Sequence, residues 1–250
     1  MQRIAMITGA GRGIGAATAR VLGRTGHHVI VNYRTDQVAA GRVVADIEAA
    51  GGSAEPARAD VRDADQVATL VRGVVSRHGR IDALVCNANV PPPYAPLATL
   101  PWADFRAKVE GELAAAFHIT TAVLPVMRER GAGRIVYLSS LSAELTRPGA
   151  IAHAAAKAAL DTFARHVAAE AGADGIGVNV VAPAAVTTDA TAATLTADDA
   201  AARAARSVLH RVLRPDDVAA VVAAVLGDEC AALSGVRVPV DAGFRVLGQP

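Results

Sequence analysis

The fold of this chain is decided by the stretch TGAGRGIG, residues 8–15. Its four glycines predict a tight turn, and the apolar residues 3–8 predict a strand that leads into that turn. The amphipathic residues that follow, up to Gly26, predict a helix, and a second apolar run at residues 28–33 predicts another strand. Strand, turn, helix and strand within about 33 residues form a βαβ unit.

The same alternation continues through the rest of the chain. We predict further helices at residues 36–50, 63–78, 105–130, 151–171 and 216–226, and further strands at residues 53–58, 81–86, 134–139, 176–181 and 236–240. These strands are continuously apolar, which is typical of a parallel sheet covered by helices on both faces. The predicted fold is α/β, a Rossmann-type doubly wound parallel sheet of about seven strands in a single domain, residues 1–250.

Composition narrows the class of protein. Of the 250 residues, 52% are hydrophobic but only 3% are aromatic, and no apolar run approaches the roughly 20 residues of a membrane-spanning helix. A net charge of +1 lacks the basic footprint expected of a partner for nucleic acid or anionic membrane. The N-terminus has no signal-peptide pattern, and Cys86 and Cys230 have no secretory context. We therefore expect a cytoplasmic α/β enzyme or binding domain.

The sequence gives no indication of a metal site. Cys86 and Cys230 lack metal-like spacing. His118, His166 and His210 have no acidic or cysteine partner at such a spacing, and His28 and His78 are interpreted as structural. We predict no metal.

Two irregular segments follow strands and therefore lie at the carboxyl edge of the sheet, where open α/β sheets bind ligands. Residues 89–101 contain three consecutive prolines, which exclude a regular element there. Residues 187–206 are rich in Ala, Thr and Asp with weak periodicity, which is typical of a mobile lid. We predict that residues 187–206 form a lid over the substrate.

A glycine-rich turn that opens a helix lets backbone N–H groups approach a pyrophosphate, which the helix N-terminus favours electrostatically. The alternative interpretation is a tight turn without a ligand. The position after the first strand of a βαβ series favours nucleotide binding.

The spacing TGxxxGxG resembles that of the short-chain dehydrogenase/reductase family, most closely its 3-oxoacyl-[acyl carrier protein] reductases and polyketide ketoreductases. Later matches to the family's motifs are Asp60-Val61, Asn87-Ala88, Ser139-Ser140, Lys157, Pro183, Thr188 and Asp241-Ala242-Gly243. The resemblance implies that a dinucleotide is held by Thr8, Gly9, Gly11, Arg12, Gly13, Ile14, Gly15, Arg34, Asp60, Val61, Asn87, Ala88, Lys157, Pro183, Val186 and Thr188.

Charge at the end of the second strand favours NADP(H) over NAD(H). An acidic residue there would hold the ribose 2′-hydroxyl and repel a 2′-phosphate. This corner instead carries Arg34, has no carboxylate before Asp36, and lies close to Arg12 of the turn. Two guanidinium groups suit a phosphate dianion. In the alternative interpretation, Arg34 is a solvated surface residue.

The family reduces carbonyls with an Asn, a Ser, a Tyr and a Lys, and this chain departs from that set twice. Ser140 and Lys157 are in place, but His153 stands four residues before Lys157, where the family has tyrosine. Glu112 occupies the place of the helix Asn. Histidine is a competent general acid or base near neutral pH, although an imidazole nitrogen lies nearer its backbone than a phenol oxygen does.

Three hypotheses remain open. The chain reduces a ketone with NADPH, with Ser140 polarising the carbonyl and His153 donating the proton, directly or through water. Alternatively, it performs dehydration, isomerisation or cyclisation through a His153–Glu112 pair, or it is an inactive NADP(H)-binding partner of a sibling subunit. Under all three we expect Glu112 to form an ion pair with Lys157. The resemblance further implies a small-molecule or carrier-bound carbonyl substrate and a homotetramer or homodimer.

Overall fold

The computed structural model describes residues 2–188 and 196–247. It contains a seven-stranded parallel sheet with the strand order β3-β2-β1-β4-β5-β6-β7. The strands are β1 Ile4–Ile7, β2 His28–Tyr33, β3 Ser53–Arg58, β4 Ala83–Cys86, β5 Gly133–Leu138, β6 Ile176–Pro183 and β7 Arg237–Val240. The helices are α1 Gly13–Arg24, α2 Gln37–Ala49, α3 Ala64–His78, α4 Trp102–Arg128, α5 Ile151–Ala171, α6 Ala197–Ala205, α7 Pro215–Leu226 and α8 Phe244–Leu247. The predicted Rossmann-type single domain is confirmed.

Two apolar layers bury the two faces of the sheet. Helices α3, α4 and α5 cover one face, where residues such as Val74, Ile119 and Leu160 pack against the strands. Helices α1, α2 and α7 cover the other face, with residues such as Leu22 and Val222. Burial on both faces explains why the strands are continuously apolar rather than alternating.

The order of the strands reverses direction between β1 and β4. At such a switch point the loops after the two strands lead away to opposite faces, which opens a crevice at the carboxyl edge of the sheet. The glycine-rich turn follows β1, the segment that begins at Asn87 follows β4, and Ser140 comes two residues after the end of β5. The fold therefore brings residues distant in the sequence to one edge.

Some boundaries differ from those expected. Helix α4 begins at Trp102 rather than at residue 105, because Pro101 has the extended backbone of a cap residue (φ −64°, ψ 137°). Strand β6 continues two residues beyond the predicted 181, to Pro183. Residues 189–195 of the predicted lid lie outside the described residues, and Ala197–Ala205 is helical. The lid remains a prediction. Within the two described ranges, no helix is long and apolar enough to cross a membrane.

Candidate active site

The glycine-rich turn between β1 and α1 is held by the side chain of Thr8. Thr8 Oγ1 accepts hydrogen bonds from the backbone N–H groups of Asn87 and Ala88, both at 2.9 Å. These bonds tie the end of β1 to the end of β4. Gly9 and Gly13 have φ angles of 63° and 56°, in the left-handed region where residues with a Cβ are strained. The turn therefore requires glycine at both positions.

Gly15, in the first turn of α1, has no room for a side chain. A Cβ atom there would lie 2.5 Å from Asn87 Nδ2 and 2.6 Å from the carbonyl oxygen of Gly9. Asn87 Nδ2 in turn donates to the carbonyls of Thr8 at 2.9 Å and Gly9 at 3.0 Å. The side chain of Asn87 thus supports the turn from the side of β4, and the N-terminus of α1 keeps the close backbone approach that a pyrophosphate needs.

Two arginines lie near this turn. Arg12 and Arg34 are exposed, and neither forms an ion pair with another residue in the described ranges. Asp36, the first carboxylate after β2, is committed to the cap of α2, where its Oδ1 accepts a hydrogen bond from Ala39 N at 2.9 Å. The oxygen of Asp36 that accepts this bond is directed at the helix N-terminus, and the nearby carboxylate of Asp60 is held by Arg62, so both guanidinium groups are left for a ligand.

Asp60, which the resemblance assigns to the adenine pocket, is held by an arginine. Arg62 Nη2 lies 2.6 Å from Asp60 Oδ2, and Arg62 Nε lies 2.9 Å from Oδ1. This double hydrogen bond lowers the pKa of Asp60 to about 2. Val61 is buried beside it. The carboxylate is therefore ionised and has a fixed orientation.

The segment after β6 passes beside the glycine-rich turn. Val186 forms a β-bridge with Leu213, and a Cβ atom on Gly13 would lie 3.5 Å from Thr188 Cγ2. Pro183 is buried at the end of the strand. The predicted cofactor-binding residues of the turn and those of the segment after β6 are thus close together.

Three charged side chains from α4 and α5 are buried together: Lys108, Glu112 and Lys157. Glu112 Oε2 lies 2.5 Å from Lys108 Nζ, and Glu112 Oε1 lies 2.5 Å from Lys157 Nζ. Lys157 Nζ also donates to the carbonyl of Leu138 at 2.6 Å. The expected Glu112–Lys157 ion pair is confirmed, but Glu112 bridges two lysines rather than one.

The two lysines keep Glu112 ionised. Burial alone would raise the pKa of Glu112, but Lys157 and Lys108 lower it below its ordinary value. All three N–H donors of Lys108 are hydrogen-bonded, because Nζ also donates to Asn89 Oδ1 at 2.7 Å and to the carbonyl of Val90 at 2.8 Å. One carboxylate thus joins α4, α5 and the loop after β4.

Ser140 presents an unused donor at the same edge. Its Oγ accepts a hydrogen bond from Ser142 N at 3.1 Å, and its carbonyl accepts one from Arg237 Nη2 at 2.9 Å. Neither contact uses the hydroxyl hydrogen, which can donate to a substrate oxygen. Ser139 Oγ is buried and has no hydrogen-bond partner in the described part of the chain.

His153 lies on α5, one helical turn before Lys157, and is partly buried. Burial, followed by the charges of Lys157 and Lys108, lowers the pKa of His153 to about 4, and Glu112 opposes this only in part. The imidazole is therefore neutral at pH 7. Its Nδ1 is buried without a hydrogen-bond partner among the described residues, and the ring faces Tyr94 edge-on, with 6.3 Å between centroids.

The structure does not join His153 to Glu112. The two side chains form neither a hydrogen bond nor an ion pair, since both oxygens of Glu112 are bound to lysines. Of the remaining predicted residues, Gly11 lies beside Ala40 of α2, and Ile14 packs against the core.

Two residues that support the site were not predicted from the sequence. Lys108 stands four residues before Glu112, a spacing that places both on one face of a helix and could have identified it. Asn32 is buried below the turn, where its Oδ1 accepts from Gly9 N at 3.2 Å while its Nδ2 donates to the carbonyls of Ala57 and Ala59 at 3.1 and 3.2 Å. A polar residue directly after the apolar run of residues 29–31 in β2 was the available signal.

The parallel sheet, the switch point and the glycine-rich turn define a protein of the Rossmann class. The family model described as enoyl-(acyl carrier protein) reductase matches residues 9–245. The chain belongs to the short-chain dehydrogenase/reductase family, a family of oxidoreductases.

Two curated relatives and one solved structure illustrate the similarity. The chain is 39% identical to a 3-oxoacyl-[acyl-carrier-protein] reductase of Synechocystis sp. over 76% of each chain. It is 36% identical to a cis-4-hydroxycyclohexanecarboxylate dehydrogenase of Sinomonas cyclohexanicum over 98% of each chain. The structure of a gluconate 5-dehydrogenase from Burkholderia cenocepacia, in complex with NADP and tartrate, has a TM-score of 0.91 and 29% identity, covering 98% of this chain and 96% of that one.

Proposed function

We propose that this chain interconverts a ketone and a secondary alcohol with NADP(H), and that its substrate is a 3-oxoacyl or polyketide-like ketone. The observation that carries the proposal is the common edge of the sheet, at which the glycine-rich turn, Ser140, His153 and Lys157 all occur. One relative is named as a 3-oxoacyl-[acyl-carrier-protein] reductase and another as a dehydrogenase, so the relatives' names include both directions of such a reaction.

The residues of the turn fit a dinucleotide phosphate. The space beside Gly15 that a Cβ atom would fill allows the backbone to approach a pyrophosphate closely. Arg12 and Arg34 are exposed and form no ion pair within the described ranges, and Asp36 is occupied by the cap of α2. A 2′-phosphate would therefore meet two available guanidinium groups. When bound, the nicotinamide would supply or accept the hydride.

Three side chains would act on the carbonyl and the ribose. The hydroxyl of Ser140 would donate a hydrogen bond to the carbonyl oxygen, because its hydrogen is not used by its contact with Ser142. Lys157 donates two of its three hydrogens, to Glu112 and Leu138, and retains one for a ribose hydroxyl. His153 would exchange the proton with the substrate oxygen.

The pKa of His153 determines how direction depends on pH. With a pKa of about 4, the imidazole is neutral at pH 7 and ready to accept a proton from an alcohol. Reduction of a ketone needs the imidazolium as acid, and the population of the imidazolium falls tenfold for each pH unit above the pKa. We therefore propose that oxidation of the alcohol is the better supported direction near neutral pH, and that reduction gains as the pH falls.

The test is NADPH oxidation with a β-keto ester, and the reverse reaction with the corresponding 3-hydroxy ester, in the wild type and in His153→Phe. Loss of general acid–base catalysis predicts a decrease of about 10²–10⁴-fold in kcat for His153→Phe. His166→Phe is the matched control, because His166 is exposed on the same helix. NADPH binding is measured separately for each variant from the fluorescence of the coenzyme.

Each of the other hypotheses has its own outcome. Substrate conversion without net NADPH oxidation would replace the proposal by acid–base chemistry without redox. Binding of NADPH with no turnover on any ketone or alcohol would indicate an inactive partner subunit. Full activity of His153→Phe would exclude His153 as the proton-transfer group.

A further inference from the structure

A second group of side chains lies at the amino edge of the sheet, opposite the candidate active site. His28 is the first residue of β2, Glu55 lies on β3, and His78 is the last residue of α3. One ligand atom from each of these residues lies within 4.8 Å of the other two. The parallel pairing of β2 with β3 brings the first two together although they are distant in the sequence.

Both imidazoles direct a nitrogen towards the carboxylate without forming a hydrogen bond. His78 Nε2 lies 3.5 Å from Glu55 Oε1, and His28 Nε2 lies 4.0 Å from Glu55 Oε2. Both Nε2 atoms are buried and have no hydrogen-bond partner in the described part of the chain. Buried polar atoms without a partner are uncommon, and a site for an ion is one physical reason for them.

The other nitrogen of His28 has a partner. His28 Nδ1 lies 3.0 Å from Ser53 Oγ, which also accepts a hydrogen bond from Gln2 Nε2 at 3.0 Å. If Nδ1 carries the proton and donates it to Ser53, Nε2 presents a lone pair and no N–H is buried unpaired. A histidine that ligates a metal usually donates its second nitrogen in this way, which fixes the tautomer and the ring orientation.

Glu55 keeps one oxygen free of strong partners. Arg77 contacts Oε1 through Nη2 at 2.6 Å and Nε at 3.2 Å, whereas Oε2 is the oxygen that faces His28, with His28 Nε2 at 4.0 Å. Burial raises the pKa of Glu55, but Arg77 and His78 together lower it below its ordinary value. The arginine thus holds the carboxylate as an anion and leaves Oε2 directed at His28.

We propose that His28, Glu55 and His78 bind a divalent transition-metal ion of the Zn²⁺ type, with a fourth position left for water. Two imidazoles and one carboxylate are a ligand set that Zn²⁺ accepts, with bonds of about 2.0–2.2 Å. Ligand atoms of a tetrahedral site are then roughly 3.4 Å apart. His78 Nε2 and Glu55 Oε1, the oxygen that Arg77 also contacts, already have this separation at 3.5 Å, whereas His28 Nε2 and Glu55 Oε2, at 4.0 Å, must move closer together.

The bound ion would join three elements that meet at one corner of the fold. Among the described strands, β3 is at the edge of the sheet and pairs only with β2, so a link from β3 to the end of α3 would secure that edge. The site is at the opposite end of the strands from the glycine-rich turn. The proposed role is therefore structural, and it does not depend on the proposed function.

The test is titration of the untagged, EDTA-treated protein with ZnCl₂ by isothermal calorimetry, with the Tm as a second readout. A Cys230→Ser background removes the partly exposed thiol. Cys86 does not need replacement, because burial raises its pKa to about 12. We expect one Zn²⁺ per chain, a rise in Tm, and no comparable binding of Ca²⁺, which prefers oxygen ligands.

Variants distinguish this site from adventitious binding. His78→Gln should abolish the stoichiometric binding, and Ser53→Ala should weaken it about 10–100-fold through the loss of the hydrogen bond to His28. His166→Gln, at an exposed histidine on α5, should bind like the wild type. Ser53→Ala keeps all three ligands, so it tests the site even if His78→Gln fails to fold. Absence of one-to-one binding in the wild type, or equal affinity in Ser53→Ala and the wild type, would overturn the proposal.

Discussion

The glycine-rich turn and the Lys108–Glu112–Lys157 group lie at the same edge of the sheet but are built by opposite means. The turn is held by hydrogen bonds between uncharged groups, such as those of Thr8 and Asn87. The lysine–glutamate group buries three ionisable side chains whose net effect depends on their charges. The glycine-rich turn with Thr8 and Asn87, which resembles the family closely, is governed by shape, and we call it the shape-governed half of the site. The group of Lys108, Glu112 and Lys157 with His153, which departs from the family, is governed by charge, and we call it the electrostatic half.

The two departures from the family pattern are electrostatically consistent with each other. Lys157 and Lys108 both lower the pKa of His153, and Glu112 raises it. With an uncharged residue in place of Glu112, two lysines would face the histidine with no compensating anion. Glu112 therefore makes a histidine at position 153 less unfavourable as a proton carrier, although its pKa remains at about 4.

The largest effect is expected from removing the charge in the electrostatic half. Glu112→Gln leaves Lys108 and Lys157 buried without an anion, and breaking a buried ion pair in this way costs about 3–5 kcal/mol. We expect a decrease of that size in the free energy of unfolding, measured by urea denaturation.

Glu110→Gln is the matched control for this variant. Glu110 lies on the same helix, and its side chain is 68% exposed. Its ion pair with Arg106 is a long one, with 3.8 Å between Glu110 Oε1 and Arg106 Nε. An exposed pair of this kind contributes less than about 0.5 kcal/mol. Equal destabilisation by the two variants would show that Glu112 acts through helix propensity rather than through its two lysines.

The shape-governed half was largely predictable from the sequence, because its signals are local. Glycine spacing predicts the turn, and apolar runs predict β1 and β2. The electrostatic half was predicted only in part. Glu112 and Lys157 were paired through the family resemblance, but the burial of Lys108 depends on where the loop after β4 places Asn89 and Val90. Nothing local in the sequence determines that contact.

Longer-range contacts were not predictable for the same reason. His28, Glu55 and His78 are brought together by strand pairing and by the end of a helix, so their spacing in the sequence carries no metal signal. The start of α4 was missed by three residues because the capping role of Pro101 is a property of its backbone conformation.

The second prediction tests the shape-governed half. Gly15→Ala forces a Cβ atom against Asn87 Nδ2 and the Gly9 carbonyl, at 2.5 and 2.6 Å. Overpacking of this kind costs about 1–3 kcal/mol, and the shift of the turn should weaken NADPH binding at least about tenfold. Gly41→Ala is the control, because a Cβ atom on Gly41 meets nothing within 4 Å. It should leave NADPH binding unchanged, and an equal loss in both variants would contradict the steric argument.

The third prediction concerns the pH dependence of stability in the electrostatic half. The pKa of His153 falls from 6.5 to about 4 on folding, so the unfolded chain binds a proton at a higher pH than the folded chain does. The corresponding stability is fully present above pH 6.5, decreases as the pH falls, and stops decreasing below about pH 4. Because the ring is partly exposed, the decrease attributable to His153 is about 1–2 kcal/mol.

The measurement is the free energy of unfolding at several pH values for the wild type and His153→Phe. The carboxylates titrate in both proteins, so the difference between the two curves isolates the histidine. His166→Phe should reproduce the wild-type slope. A slope that His153→Phe leaves unchanged would mean that the folded protein does not disfavour the imidazolium.

The smallest effect is expected where the shape-governed half meets solvent. Arg34→Asp replaces an exposed cation by an anion at the end of β2, where the first carboxylate along the chain, Asp36, caps α2 through its Oδ1. An anion there repels a 2′-phosphate but can accept a hydrogen bond from a 2′-hydroxyl. We expect NADPH to bind about tenfold more weakly, which is about 1.4 kcal/mol, and NADH to bind no more weakly than before.

The comparison of the two coenzymes separates this charge effect from damage to the turn, since a distorted turn would weaken both equally. Salt gives a second separation. Because Arg34 is exposed, the wild-type preference for NADPH over NADH should decrease as the ionic strength rises. In Arg34→Asp the affinity for NADPH relative to NADH should instead increase, because salt screens the repulsion of the 2′-phosphate. Arg24→Asp, at an exposed arginine in the last turn of α1, should alter neither affinity. An equal loss of NADH and NADPH in Arg34→Asp would show that Arg34 supports the turn rather than the 2′-phosphate.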